Sequence, residues 1–178
     1  MGRPPIGNPQ REGDLEALFD RILAVNLVAS TILFYAVARL YVLPKLSGWS
    51  FHSVMLPILL LHSFRHLGLM FLAPGVTQPG MPALFAYPAA LGDLIAAVLA
   101  FAALVAVVRS HPAARALVWV FNLEGTLDLV AAIVLTNLSG AERYMGAAYW
   151  IPAFWVPALL VTHYITFVVL RRDRIGTT

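Results

Sequence analysis

Five stretches of the chain stay apolar for about 20 residues or more, the length that crosses a bilayer's hydrocarbon core as a helix. They cover residues 19–43, 51–73, 84–108, 115–138 and 149–170. Within each stretch apolar residues run continuously instead of alternating with polar ones. Strands of a membrane barrel alternate, and an open strand leaves its backbone groups unsatisfied in lipid. The connections, at 46–50, 74–83, 109–114 and 139–148, are short and rich in Gly, Pro and Ser, as turns between antiparallel helices are. The pattern predicts an all-α integral membrane protein: one antiparallel bundle of five transmembrane helices, residues 19–170, with no soluble domain. Residues 1–18 read as a flexible polar tail and 171–178 as a basic tail.

Composition agrees: of 178 residues 60% are hydrophobic and only 12% charged, about half the charged share of an ordinary soluble domain. Cysteine is absent, which removes disulfides, thiolate catalysis and Cys-ligated metal or iron–sulfur sites. The net charge of +3 is no nucleic-acid signal, because the basic residues stand at helix ends and form no stripe with interleaved aromatics. Those ends set the orientation, since Lys and Arg concentrate on the cytoplasmic side. An outside N-terminus and an inside C-terminus place Arg39, Lys45, Arg109, Arg115, Arg171, Arg172 and Arg174 in the cytoplasm, against Arg3, Arg11, Arg21 and Arg143 outside. Trp49 at the inner boundary of the second helix, and Tyr149 and Trp150 at the outer boundary of the fifth, suit the headgroup level. The expected location is a bacterial cytoplasmic membrane.

The candidate chemistry is carried by polar residues inside the spans. The second helix holds His62, Arg65 and His66, the third Asp93, the fourth Asn122, Glu124 and Asp128, and the fifth His163. An ionised side chain at a helix centre costs about 2.5–3.5 kcal/mol on insertion scales, so an intramembrane ionisable group is by default a functional candidate. At 1.5 Å per residue these groups fall into one slab about 12 Å thick. Small residues (Ala89, Ala90, Gly92, Ala96 and Ala97 around Asp93, Gly125 between the two acids of the fourth helix) permit close helix approach there. Pro57, Pro152 and Pro157 are positioned to kink the second and fifth helices nearby.

On a regular α-helix His62, Arg65 and His66 share one face, and so do Glu124 and Asp128. Asp93, Glu124 and Asp128 give three negative charges against the one positive charge of Arg65. The excess has to be removed by carboxyls that hold their protons, by protonated histidine, or by a divalent cation. A metal set of His62, His66, Asp93 and His163, holding zinc or iron, is therefore one expectation, although Ser63 stands where a zinc-protease motif has Glu. A metal-free acid/base pair of Glu124 and Asp128 is another. Arg65 is a candidate for a salt bridge or for holding an anionic substrate group. Asn122 is a candidate for the same contact or for joining helices. His52 and His111 read as surface residues near helix ends.

These residues fit an intramembrane enzyme or binding protein for a small lipophilic molecule. The alternatives are a proton-coupled transporter, which at this size calls for a homodimer, and a structural subunit whose polar residues fix helix register. In architecture the five helices also resemble the cytochrome subunits of respiratory reductases. That resemblance implies haem b between His62 or His66 and His163, though three buried acids suit haem propionates badly. Residues 62–69 and 122–129 resemble strings in small bacterial membrane proteins without assigned function.

Overall fold

The structure, a computed structural model, describes residues 9–172, with side chains at Leu18 and from Arg21 onward. Residues 1–8 of the expected polar tail and 173–178 of the basic tail lie outside the described residues. Every regular element among the described residues is helical. The five main helices are α1 (Pro9–Val37), α2 (Phe51–Ser63), α3 (Ala83–Val108), α4 (Ala114–Ser139) and α5 (Val156–Arg172). Five segments are long and apolar enough to cross a membrane: Arg21–Gly48, Phe51–Leu72, Ala83–Val108, Ala114–Ser139 and Gly146–Arg172.

The expected boundaries differ from these mainly at the first helix. It begins at Pro9, so residues 9–18 are helical where the sequence pattern reads as a tail. It also continues past Pro44, through a π-helical turn at Ala38–Val42 and a 3-10 turn at Leu43–Gly48. Proline is tolerated there because the first turn of a helical segment needs no N–H donor. Trp49 then goes extended, and Ser50 caps α2 by accepting from Ser53 N at 3.1 Å. At the far end of α4, Gly140 adopts the left-handed conformation at φ 64°, a common helix stop.

Within the bundle α3 is the hub, packing against α4, α2 and the 3-10 segment that follows α2. Its buried face is a run of small residues, among them Ala86, Ala89, Ala90, Ala96, Ala97 and Ala100, which lets neighbouring backbones come close. The basic ends of α2, α4 and α5 meet, with Arg115 donating to Leu170 O at 2.9 Å and lying over the Phe51 ring. At the opposite end the loop after the 3-10 segment is pinned to the loop after α4: Gln78 N donates to Tyr144 O, and Ala147 N to Val76 O, both at 2.8 Å. The first helix is the loosest member. It leans on α5 and the short helical segments before it, and much of its apolar surface, such as Val25, Ile32 and Leu33, is exposed.

The second span changes winding halfway. α2 stops at Ser63 and the chain continues as a 3-10 helix over Phe64–Leu72. With three residues per turn, side chains at i and i+3 eclipse. His62, Arg65, Gly68 and Phe71 are accordingly all buried on one face. On an α-helix, Phe71 would stand about 180° from His62.

Candidate functional site

The same winding gives Arg65 its place, fully inside the bundle with its guanidinium aimed between α3 and α4. Nε donates to Asp93 Oδ1 at 2.7 Å, and Nη2 donates to Asp128 Oδ2. Nη1 donates to the backbone carbonyl of Gly125 at 3.2 Å and faces His163 Nε2 at 3.5 Å. Most of the five N–H donors of the guanidinium are thus used. Asn122 Oδ1 lies 2.8 Å from His163 Nδ1 and can only accept, so Nδ1 carries the proton and Nε2 turns its lone pair to Arg65. A single arginine from the second span therefore ties together α3, α4 and α5.

Three glycines make the room. A Cβ on Gly68 would fall inside the Asp93 carboxylate, and one on Gly92 inside that of Asp128. A Cβ on Gly125 would lie 2.7 Å from both Arg65 Nη1 and His163 Cε1. Gly92 and Gly125 stand out in the sequence as small neighbours of acids. Gly68 is the member that residue chemistry does not reveal, and its signal is a lone glycine inside an apolar run.

Six of the eight candidate residues come together: His62, Arg65, Asp93, Asn122, Asp128 and His163. The rings of His62 and His163 are 4.3 Å apart, with Phe121 4.9 Å from the first and 5.2 Å from the second. His62 Nε2 meets the hydroxyl of Thr162 at 2.9 Å. Two buried polar atoms at this stack, His62 Nδ1 and Asn122 Nδ2, have no hydrogen-bond partner.

The other two stand apart. His66 is exposed, its Nδ1 2.9 Å from Ser63 O on its own segment. The expectation that it shares a face with His62 is corrected by the 3-10 winding, which places i+4 about a third of a turn away. Glu124 is half-buried, and its Oε2 is enclosed without a hydrogen-bond partner. It stands outside the hydrogen-bond network that holds Asp128.

His66 stands apart from His62, Asp93 and His163, the other members of the expected metal set. Among the described residues no three His, Cys, Asp or Glu side chains are grouped to hold a metal ion. His163 and Asp93 are instead turned to Asn122 and Arg65. His62 and His163, the pair implied for haem, stand with their rings at packing distance. His66→Ala is accordingly expected to shift thermal unfolding in detergent by no more than an ordinary surface change, within about 0.5 kcal/mol. His62→Ala, which empties a fully buried position, is expected to cost several times that.

The outward-facing edges of Asp93 and Asp128 are not sealed. They form one end of a cavity of about 90 Å³ between α1, α3, α4 and the start of the fifth span. The first helix takes part as well, because Leu23, Ala24 and Leu27 form one wall of this cavity. Phe85, Ala89, Leu129, Ala132, Ile151 and Val156 supply most of the rest. Thr136, Asn137 and Glu142 give the far end a polar rim, about 13 Å along α4 from Asp128. A π-helical turn, Ile151–Trp155, flanks the cavity, as such turns often flank functional sites. Toward the basic end the interior between α2, α3, α4 and α5 is packed by Phe121 and an apolar core that includes Met55, Leu59, Val118, Ile165 and Leu170.

Residues 22–171 match a family described as Domain of unknown function (DUF8737). No curated protein and no solved structure matches the chain.

Proposed function

The chain belongs to this family of domains of unknown function, and from that premise we propose that it is a membrane protein that binds a small lipophilic molecule. The ligand's apolar body lies between α1 and α4, and its polar end meets Asp93 and Asp128. One observation carries the reading: two carboxylates, already bonded to a buried arginine, form one end of a cavity whose walls are apolar between them and the polar rim. A clasp serving only helix register gains nothing from facing a cavity. Ligand pockets, by contrast, combine apolar walls with a few convergent polar groups.

The chemistry of the end wall narrows the ligand. Carboxylates accept hydrogen bonds, and Arg65 balances one negative charge of the two. The favoured polar end is therefore a hydrogen-bond donor, a protonated amine or a hydroxyl. Asp128 is the residue placed to take or return a proton if the bound molecule reacts. The apolar core packed beyond Phe121 supports a closed site over a continuous ion path. With the basic end placed in the cytoplasm, the cavity belongs to the outer half of the bilayer, where α1 is the movable wall.

Solvent extraction of purified protein, followed by mass spectrometry, tests this. A lipophilic amine or alcohol is expected to co-purify with the native chain. Its amount is expected to fall at least about tenfold in Ala132→Phe, which fills the cavity one turn along α4 from Asp128; this corresponds to about 1.4 kcal/mol of affinity. Equal extracts from native protein and a folded Ala132→Phe variant would overturn the reading.

A further inference from the structure

A second cavity lies at the basic end of the bundle, apart from the proposed ligand site and independent of it. It opens between the last turns of the first and fifth spans and measures about 500 Å³. Arg39 and Arg172 stand on its two sides, with the hydroxyl residues Tyr35, Tyr164 and Ser47 and an apolar wall of Leu43, Pro44 and Val168. Both arginines are exposed. Arg39 sits on the π-helical turn at Ala38–Val42, a feature that often marks functional positions. The rings of Tyr35 and Tyr164 meet at 5.9 Å, joining the two helices beside the opening.

We propose that this cavity binds the phosphate of an anionic phospholipid, with the acyl chains running up the apolar wall. Guanidinium groups pair with phosphate through two parallel N–H donors, and tyrosine and serine hydroxyls add further donors. The charge balance points the same way. Among the residues whose side chains are described, the acids are Asp93, Glu124 and Asp128 within the spans and Glu142 at the opposite end, and none of them pairs with Arg39 or Arg172. Lys45, Arg109, Arg115 and Arg171 add positive charge at the same end. Basic pockets between membrane helices on the cytoplasmic side hold anionic headgroups in this way. Leu43, Pro44 and Val168 decide between a lipid and a free phosphate ion, because an ion would leave that wall facing water while an acyl chain covers it.

The test uses delipidated protein in detergent at fixed ionic strength, titrated with short-chain phosphatidylglycerol, phosphatidylcholine of the same chain length, and inorganic phosphate. Phosphatidylglycerol is expected to bind at least tenfold more tightly than phosphatidylcholine. The preference is expected to vanish in Arg39→Gln/Arg172→Gln and to persist in Arg109→Gln, an exposed arginine at the same end but outside the cavity. Equal binding of the two lipids, or an unchanged preference in the double variant, would overturn the site. So would a loss in Arg109→Gln as large as in the double variant, since the effect would then be one of overall surface charge. Inorganic phosphate that displaces phosphatidylglycerol at equal concentration would overturn the lipid as the source of the phosphate. If the double variant fails to fold, Arg39→Gln and Arg172→Gln alone are each expected to weaken the preference, and preference unchanged in both overturns the proposal.

Discussion

Arg65→Met is expected to destabilise the bundle by about 3–5 kcal/mol, the usual loss when one partner of a buried ion pair is removed and the other is left in place. Asp93 and Asp128 would keep their positions on α3 and α4 and lose the cation between them. The carbonyl of Gly125 and Nε2 of His163 would lose a donor in the same step. Arg65→Lys is expected to recover only part of the loss. A lysine has one point of charge on a flexible stem, whereas the planar guanidinium reaches three helices at once. The informative partner is Arg65→Met/Asp93→Asn/Asp128→Asn, which removes the charges from both sides. It is expected to unfold within about 1–2 kcal/mol of the native chain, because replacing a whole buried ionic group is often nearly neutral where breaking it is not. Thermal or denaturant unfolding in one detergent measures all three. If Arg65→Met unfolds like the native chain, the cluster is not an ionic clasp, and the carboxylates at the cavity end are not held by it.

The five-helix architecture is readable from the run lengths because bilayer thickness leaves so little freedom: an apolar run of the right length between Gly- and Pro-rich turns has few other outcomes. The depths of Arg65, Asp93, Asp128 and His163 are readable for the same reason, since the rise per residue is fixed. Rotation about the helix axis is not. The pairing of His62 with His66 assumes 100° per residue, and the switch to 3-10 winding after Ser63 turns His66 outward while keeping Arg65 in line. Nothing in the residue types around Phe64 announces that switch. Pro57 lies well before it, and the segment is held by what it packs against: Gly68 on Asp93 and Phe71 on Phe85. Glu124 and Asp128 show a related limit. Both lie on α4 near the right depth, yet only Asp128 meets the guanidinium, and which of two acids an arginine chooses depends on helix rotation and the small residues opposite. The role of the first helix was hidden differently, because a helix whose exposed and buried faces are both apolar carries no pattern that says where its neighbours are.

Gly92→Ala is expected to cost about 3 kcal/mol, although intrinsic preference predicts the opposite sign. Replacing glycine by alanine inside a helix ordinarily stabilises it by about 0.5–1 kcal/mol. At this position the new methyl group would occupy the space of the Asp128 carboxylate. One of them must move, and either movement separates Asp128 from Arg65 or pushes α3 from α4, so the cost belongs at the top of the range for overpacking. Gly68→Ala, whose methyl would fall on Asp93, is expected to behave alike. Gly48→Ala is the contrast, because nothing lies within 4 Å of its added atom and it is expected to be neutral. A double-mutant cycle identifies the cause. In an Asp128→Ala background the carboxylate is gone, so Gly92→Ala should lose most of its penalty, and a coupling of about 2 kcal/mol or more is expected. A penalty that persists in full there would place the clash in the packing of α3 on α4 at large and remove Gly92 from the cradle. The glycines would then explain only how closely the helices pack. A strong coupling would instead mean that the backbone of three spans is shaped around one guanidinium and two carboxylates, which is the arrangement that keeps Asp93 and Asp128 facing the cavity.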